Sequence, residues 1–251
     1  MRAPARTAPA SPPPAEPARP AGGLFVCLEG IDGAGKTTAA DLASRLLRER
    51  GLAVESFDKK KALFGSQYVR RHMAGLREVI WGHPADDPYL ELGDWHWIYL
   101  QAAWYSAASR CAVQPLTEAG FVVLTDTWLH KFLAKLALRP HVDLDRARAV
   151  FADLVRPDLV IQLDLDPATA AARKASFGIS EAGNHEGSVE LSTGSFVAYQ
   201  RRLSAVLDEW GQAEYWLRLD VNALAPEEVA AQVAELVARR LPGAARAGGG
   251  G

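Results

Sequence analysis

The stretch FVCLEGIDGAGKTT, residues 25–38, decides how the rest of the chain is read. Phe25, Val26, Cys27 and Leu28 form a short apolar run suited to a buried strand, and 38–50 reads as a helix. Between them, Gly30-Ile31-Asp32-Gly33-Ala34-Gly35-Lys36-Thr37 satisfies every fixed position of G-x-x-x-x-G-K-[ST]. Glycines let such a loop turn tightly and bring its backbone N–H groups against phosphate oxygens. The helix that follows adds unpaired N–H groups and the positive end of its dipole. In this motif Lys36 reaches the β- and γ-phosphates, and the Thr37 hydroxyl binds Mg²⁺. Gly30, Gly33, Ala34, Gly35, Lys36, Thr37 and Thr38 are therefore the predicted ATP-binding residues, with Mg²⁺ as cofactor.

Outward from this loop, short apolar segments at 53–57, 121–125, 159–163 and 216–221 read as further strands. Helical spacing separates them. Val69, Met73, Leu76 and Ile80 form one stripe, and Phe196, Tyr199, Leu203, Val206, Leu207 and Trp210 form another. Val229, Val233, Leu236 and Val237 mark a third near the end. Strands separated by helices imply right-handed crossovers. The expected fold is a P-loop three-layer α/β domain, a parallel five-stranded sheet with helices on both faces. Ligands then bind at the carboxyl ends of the strands. The third strand ends in Asp126, where P-loop enzymes keep an acid for Mg²⁺, so Thr37 and Asp126 are the predicted metal residues. The competing role for Asp126 is an N-terminal cap of the next helix. Asp164 and Asp166 also end a strand, but Pro167 makes a helix start the better reading there.

A chain of 251 residues can bury a substantial core, and a formal net charge of −2 gives no general attraction to nucleic acid polymers or anionic membranes. No apolar run approaches membrane-spanning length. Two cysteines, Cys27 and Cys111, make no disulfide framework and no zinc pattern, which fits a reducing cytoplasmic setting. Cys27, within the first strand, is expected to be a buried inert thiol. Residues 1–23 are rich in Pro, Ala and Arg, and 241–251 in Gly and Ala. Both read as solvated tails flanking one domain at 24–240, the prolines being incompatible with an amphipathic transit helix.

The segment Glu29-Gly30-Ile31-Asp32-Gly33-Ala34-Gly35-Lys36-Thr37-Thr38 closely resembles the opening signature of the thymidylate kinase family, E-G-x-D-G-x-G-K-T-T. Arg156-Pro157-Asp158-Leu159, with Leu163-Asp164 and Pro167, is similar to a later strand of that family. The likeness runs in order over roughly residues 24–240, through the helix after the lid and the last strand with its adenine-side loop. It implies ATP-dependent phosphoryl transfer to a nucleoside monophosphate, a mobile lid and a homodimer. It also implies roles for two residues. Asp32 matches a P-loop Asp that approaches the acceptor, and Arg173 matches the Arg at the start of the lid, against the donor phosphates. Lys36, Asp32 and Arg173 are accordingly the predicted catalytic set. Their work is to align two phosphates, neutralise charge and exclude water.

The acceptor side departs from this family. The family's Asp-Arg-Tyr or Asp-Arg-His is here Asp126-Thr127-Trp128, so the Arg that holds the acceptor phosphate is missing. His130, Lys131 and Lys135 lie nearby but out of register. Family positions that stack on and contact the base align with Gln101 and Tyr105, and residues 174–194 contain no arginine. Gln101 also resembles the base-reading Gln of deoxynucleoside kinases, for which Asp58 would serve as base. The predicted acceptor residues are thus Asp32, Asp58, Lys59, Trp97, Gln101 and Tyr105. Most of the aromatic stretch from Trp81 to Tyr105 reads as core. Three alternatives stay open: a nucleoside kinase, a small-molecule tailoring kinase, and an ATP-binding regulatory protein without transfer.

Overall fold

Leu24–Glu29 is buried at every position and forms β1, the middle strand of the sheet. In the computed structural model, which describes residues 22–58, 64–82, 89–183 and 190–241, four more strands join it. They are β2 (Val54–Phe57), β3 (Val122–Thr125), β4 (Leu159–Asp164) and β5 (Trp216–Asp220), in the order β2-β3-β1-β4-β5. Every pairing is parallel, as alternating strands and helices predicted.

Parallel strands need crossovers, and the helices that supply them cover both faces. Successive residues of β1 point to opposite sides. Val26 and Leu28 meet α1 (Lys36–Glu49) and α9 (Pro226–Arg240) through Ala40, Ala43, Leu47, Val233 and Val237. Phe25 and Cys27 face the other way, into a core shared by α2 (Gln67–Trp81), α3 (Gly93–Ala108), α5 (His130–Ala137) and α8 (Thr193–Trp210). That core is aromatic. Trp128 sits edge-on to Phe25 and Tyr105, and Trp104 packs beside Tyr105 and Phe57.

The helical run that contains Val113 is interrupted. α3 stops at Ala108, a π-turn spans Ser109–Val113, and α4 covers Gln114–Glu118. Pro115 explains the break: it has no N–H to donate, and its ring crowds the preceding turn. α6 (Leu144–Val150) and α7 (Pro167–Ala172) complete the described helices. Asp166 opens α7, accepting from the backbone N–H groups of Ala168 and Thr169, as Asp-Pro indicated. At the amino end the folded backbone starts at least at Gly23, whose N–H donates to Thr117 O at 2.7 Å. The expected tails otherwise lie outside the described residues.

Candidate nucleotide-binding site

The loop between β1 and α1 is built on left-handed glycines. Gly30 has φ of 138°, and a Cβ there would lie 2.6 Å from Leu163 O. Gly35 has φ of 86° and opens onto free space, with no atom within 4 Å of the place a Cβ would take. Gly35 is also the N-cap of α1, and no side chain caps that end. The first N–H groups of the helix therefore stay available to an anion. Lys36 folds back over its own loop, its Nζ donating to Gly30 O at 3.0 Å and Ile31 O at 2.7 Å. Burial, with the Lys131 ammonium nearby, pulls its pKa down to about 7 against the opposing pull of Asp32 and Glu29.

Thr37 and Asp126, distant in sequence, meet at the carboxyl end of the sheet. Thr37 Oγ1 donates to Asp126 Oδ2 at 2.6 Å. Asp126 Oδ1 is buried and has no hydrogen-bond partner among the described residues. Asp126 does not cap α5, whose N-cap is Leu129. A hydroxyl and a carboxylate with an unsatisfied oxygen are the hard oxygen donors that suit Mg²⁺, so the residues present fit the ion.

Beside the loop, a cleft of about 250 Å³ is lined by Gly33, Ala34, Gly35, Thr38, Arg173, Leu224 and Pro226. Gly33, Ala34, Gly35, Thr38 and Arg173 of the predicted donor residues thus share one cavity with the loop after β5, with an apolar wall for a planar base and an exposed cation at its rim. A larger cleft of about 400 Å³ beyond β4 carries Asp164, Asp166 and Asp208 against Arg201. Its acid excess does not suit a polyphosphate.

Asp32 points the other way, towards α5 and α8. Lys131 Nζ donates to Asp32 Oδ1, and Lys135 Nζ lies 3.3 Å from Asp32 Oδ2. Burial alone would raise the Asp32 carboxyl. The Lys131, Lys135 and Lys36 ammoniums overcome this and hold it well below the usual carboxylate range. Gln200, fully buried on α8, closes the group. Its Oε1 accepts from Asp32 N at 2.9 Å, and its Nε2 donates to Asp32 Oδ2 at 3.2 Å and to Glu181 O at 2.7 Å. Lys135 also donates to Ser180 O at 2.9 Å. The segment before α8 is thereby tied to the loop.

Position 127 is a buried threonine that faces inward. Thr127 Oγ1 and the Trp128 backbone N–H both donate to the fully buried Glu29 carboxylate, at 3.3 and 3.2 Å. Trp128 Nε1 donates to Val155 O. Cys27 is buried beneath this turn, as expected, and burial pushes its thiol up.

Among the predicted acceptor residues, Tyr105 is a correction. It is 2% exposed, donates to Trp128 O at 3.0 Å and belongs to the aromatic core, so it offers no surface to a ligand. Gln101 is partly buried, and its Oε1 has no partner among the described residues. Trp97 is partly buried beside His96, while Asp58 directly follows β2 at the carboxyl edge. Lys59 lies outside the described residues. Lys131, Lys135 and Gln200 were absent from the predicted set. Their signals were faint: two lysines one helical turn apart just after Asp126, and one polar residue inside the apolar stripe of α8.

A thymidylate kinase from Synechococcus sp. strain RCC307 is 27% identical over 225 residues, covering 86% of this chain and 95% of that protein. One from Ruegeria pomeroyi is 29% identical over 225 residues, covering 87% and 96%. The solved structure of thymidylate kinase from Candida albicans has the same fold, with a TM-score of 0.61 at 17% identity, over 86% of this chain and 92% of that one. The sequence model of the thymidylate kinase family matches residues 28–187, the span holding the phosphate loop, Asp126 and Arg173; the chain belongs to that family and is a nucleotide kinase.

Proposed function

We propose that this protein transfers the γ-phosphoryl group of ATP to dTMP or a closely related pyrimidine nucleoside monophosphate. The observation that carries this reading is the division of labour at one sheet edge. The donor cleft with Arg173 lies on one side of the phosphate loop, and Asp32 turns to the other side with two lysines. Two anionic substrates can thus approach one loop from opposite directions. Lys36 and the N-terminus of α1 bind and orient the donor phosphates, and Arg173 screens their charge. Thr37 and Asp126 would hold Mg²⁺, which supplies charge neutralisation for the phosphoryl group when bound. Gln101, whose buried carbonyl has no partner among the described residues, and Trp97 are the residues we assign to the base.

A coupled ADP-release assay across nucleoside monophosphates, nucleosides and sugar-like acceptors tests the reading. The Candida albicans relative is described as having broad substrate specificity, so the panel extends beyond dTMP. Turnover fastest with a pyrimidine monophosphate is the expected result. Nucleoside-only turnover, with an inactive Asp58→Asn variant, would replace it with the nucleoside-kinase reading.

Assembly and compartment belong to the same proposal. Tyr68 and Val79 on α2, Leu92, and Tyr99 on α3 are large apolar side chains left exposed, the kind of surface a second copy covers in a homodimer. No helix among the described residues is long and apolar enough to cross a membrane, and Cys27 and Cys111 are both free thiols, which supports a cytoplasmic enzyme.

A further inference from the structure

We infer that Lys131 and Lys135 form the cation pair that holds the acceptor's phosphate, and that Asp32 occupies them as an internal counter-ion until the acceptor arrives. The assignment rests on the nucleotide-kinase reading and goes beyond it by naming the acceptor's anchor.

Charge is the starting point. The two ammonium groups are one helical turn apart on α5, with side chains only 12% and 16% exposed. Among the described residues, Asp32 is the one carboxylate that pairs with either. Two partly desolvated cations therefore share a single anion, and one positive charge is left over. Such an excess costs stability unless a further anion compensates it. Lys36 is a third ammonium beside Asp32, its pKa lowered to about 7 by burial first and then by Lys131, with Asp32, Glu29 and Asp126 pulling the other way. A phosphate monoester, carrying nearly two negative charges, is the group whose charge fits.

Place and mobility point to the same ligand. Asp32 belongs to the phosphate loop, so an anion held by these lysines lies next to the donor's phosphates, as in-line transfer requires. Lysine is a flexible point cation that can release a carboxylate and take a phosphate oxygen with little rearrangement. Lys135 also donates to Ser180 O, which brings the segment before α8 over the same spot. Apart from Lys36 of the phosphate loop, whose ammonium donates to Gly30 O and Ile31 O, the cations beside Asp32 come from α5, while Thr127 and Trp128 are committed to Glu29 and Val155.

The test uses the full chain with dTMP and thymidine as probes. Lys131→Gln and Lys135→Gln should each raise KM for dTMP about ten- to a hundredfold, the effect of losing one charge-assisted hydrogen bond, while KM for ATP changes less than about twofold. In calorimetry the variants should weaken dTMP binding but leave thymidine binding unchanged, and Lys131→Arg should restore most of the dTMP affinity. An unchanged KM for dTMP, or equal losses for dTMP and thymidine, would overturn the assignment. Intact ATP binding shows that each variant is folded; a variant losing ATP binding as well is replaced by the corresponding arginine variant, in which an unmoved dTMP affinity is expected and a collapse counts against the pair. Wild-type protein with no monophosphate-dependent turnover would overturn the nucleotide-kinase reading itself, a failure visible before any variant is made.

Discussion

Thr37 and Asp126 stand 89 positions apart in the chain, yet their side-chain oxygens are 2.6 Å from each other at the carboxyl edge of the sheet. If this pair holds the metal, Thr37→Ala and Asp126→Asn should each raise the Mg²⁺ concentration for half-maximal activity on the order of tenfold or more. Magnesium titrations of the two variants check it. A shift in melting temperature with no change in Mg²⁺ dependence would make the pair purely structural.

Lys36 is the fixed cation of the phosphate loop, and its ammonium donates to the loop carbonyls of Gly30 and Ile31. Lys36→Ala should reduce turnover on the order of a hundredfold or more, with the fold retained by circular dichroism. Near-wild-type ADP release would sink the proposed role.

The same residue predicts a proton linkage. Its pKa in the folded protein is about 7, below the ordinary 10.5, so the fold disfavours its charge. Below about pH 7 both folded and unfolded chains carry the proton, and the full cost is present. As pH rises from about 7 towards 10.5 the folded protein releases the proton first, and that cost disappears. ATP brings negative charge to the ammonium and should restore its proton. Calorimetry in buffers of different ionisation enthalpy should then show proton uptake on ATP binding near pH 8, absent in Lys36→Met.

Two loop glycines should fail for different reasons. A methyl group at Gly30 strikes the Leu163 carbonyl and forces a backbone angle that side chains avoid, so Gly30→Ala should cost about 1–3 kcal/mol of stability or more. Gly35→Ala meets no atom, and its strain is about 1–2 kcal/mol. Its methyl group instead enters the space in front of α1, so ATP affinity should fall further than melting temperature. Equal thermal losses with normal ATP affinity for both would contradict this.

Gln200 joins Asp32 to the carbonyl of Glu181 from a fully buried position. Gln200→Leu keeps the volume but strands those groups, and should cost about 1–3 kcal/mol. Hydrogen exchange in the described residues 178–183 should speed up in the same variant. Unchanged exchange would remove Gln200 from the coupling.

The conformation of the phosphate loop could be read from the chain itself because its chemistry is local. A phosphate cradle is made by the backbone of consecutive residues, Gly30 to Thr37, and needs little from distant partners. Strand and helix periods likewise act over a few residues, which is why all five strands fell within a residue or two of their expected places. Asp126 was recoverable because the end of a parallel strand is a fixed location relative to the loop. The acceptor half was decided by packing. Tyr105 turned into the core because its helix face meets Trp128, and no short-range pattern records which side of α3 faces the sheet. Lys131 meets Asp32 across 99 positions and Gln200 meets it across 168, so both contacts exist only once α5 and α8 are laid against the same strand end. Sequence determined the glycine-built phosphate loop, through the conformations its own backbone allows; tertiary structure decided which cations meet Asp32, because side-chain charge acts through space.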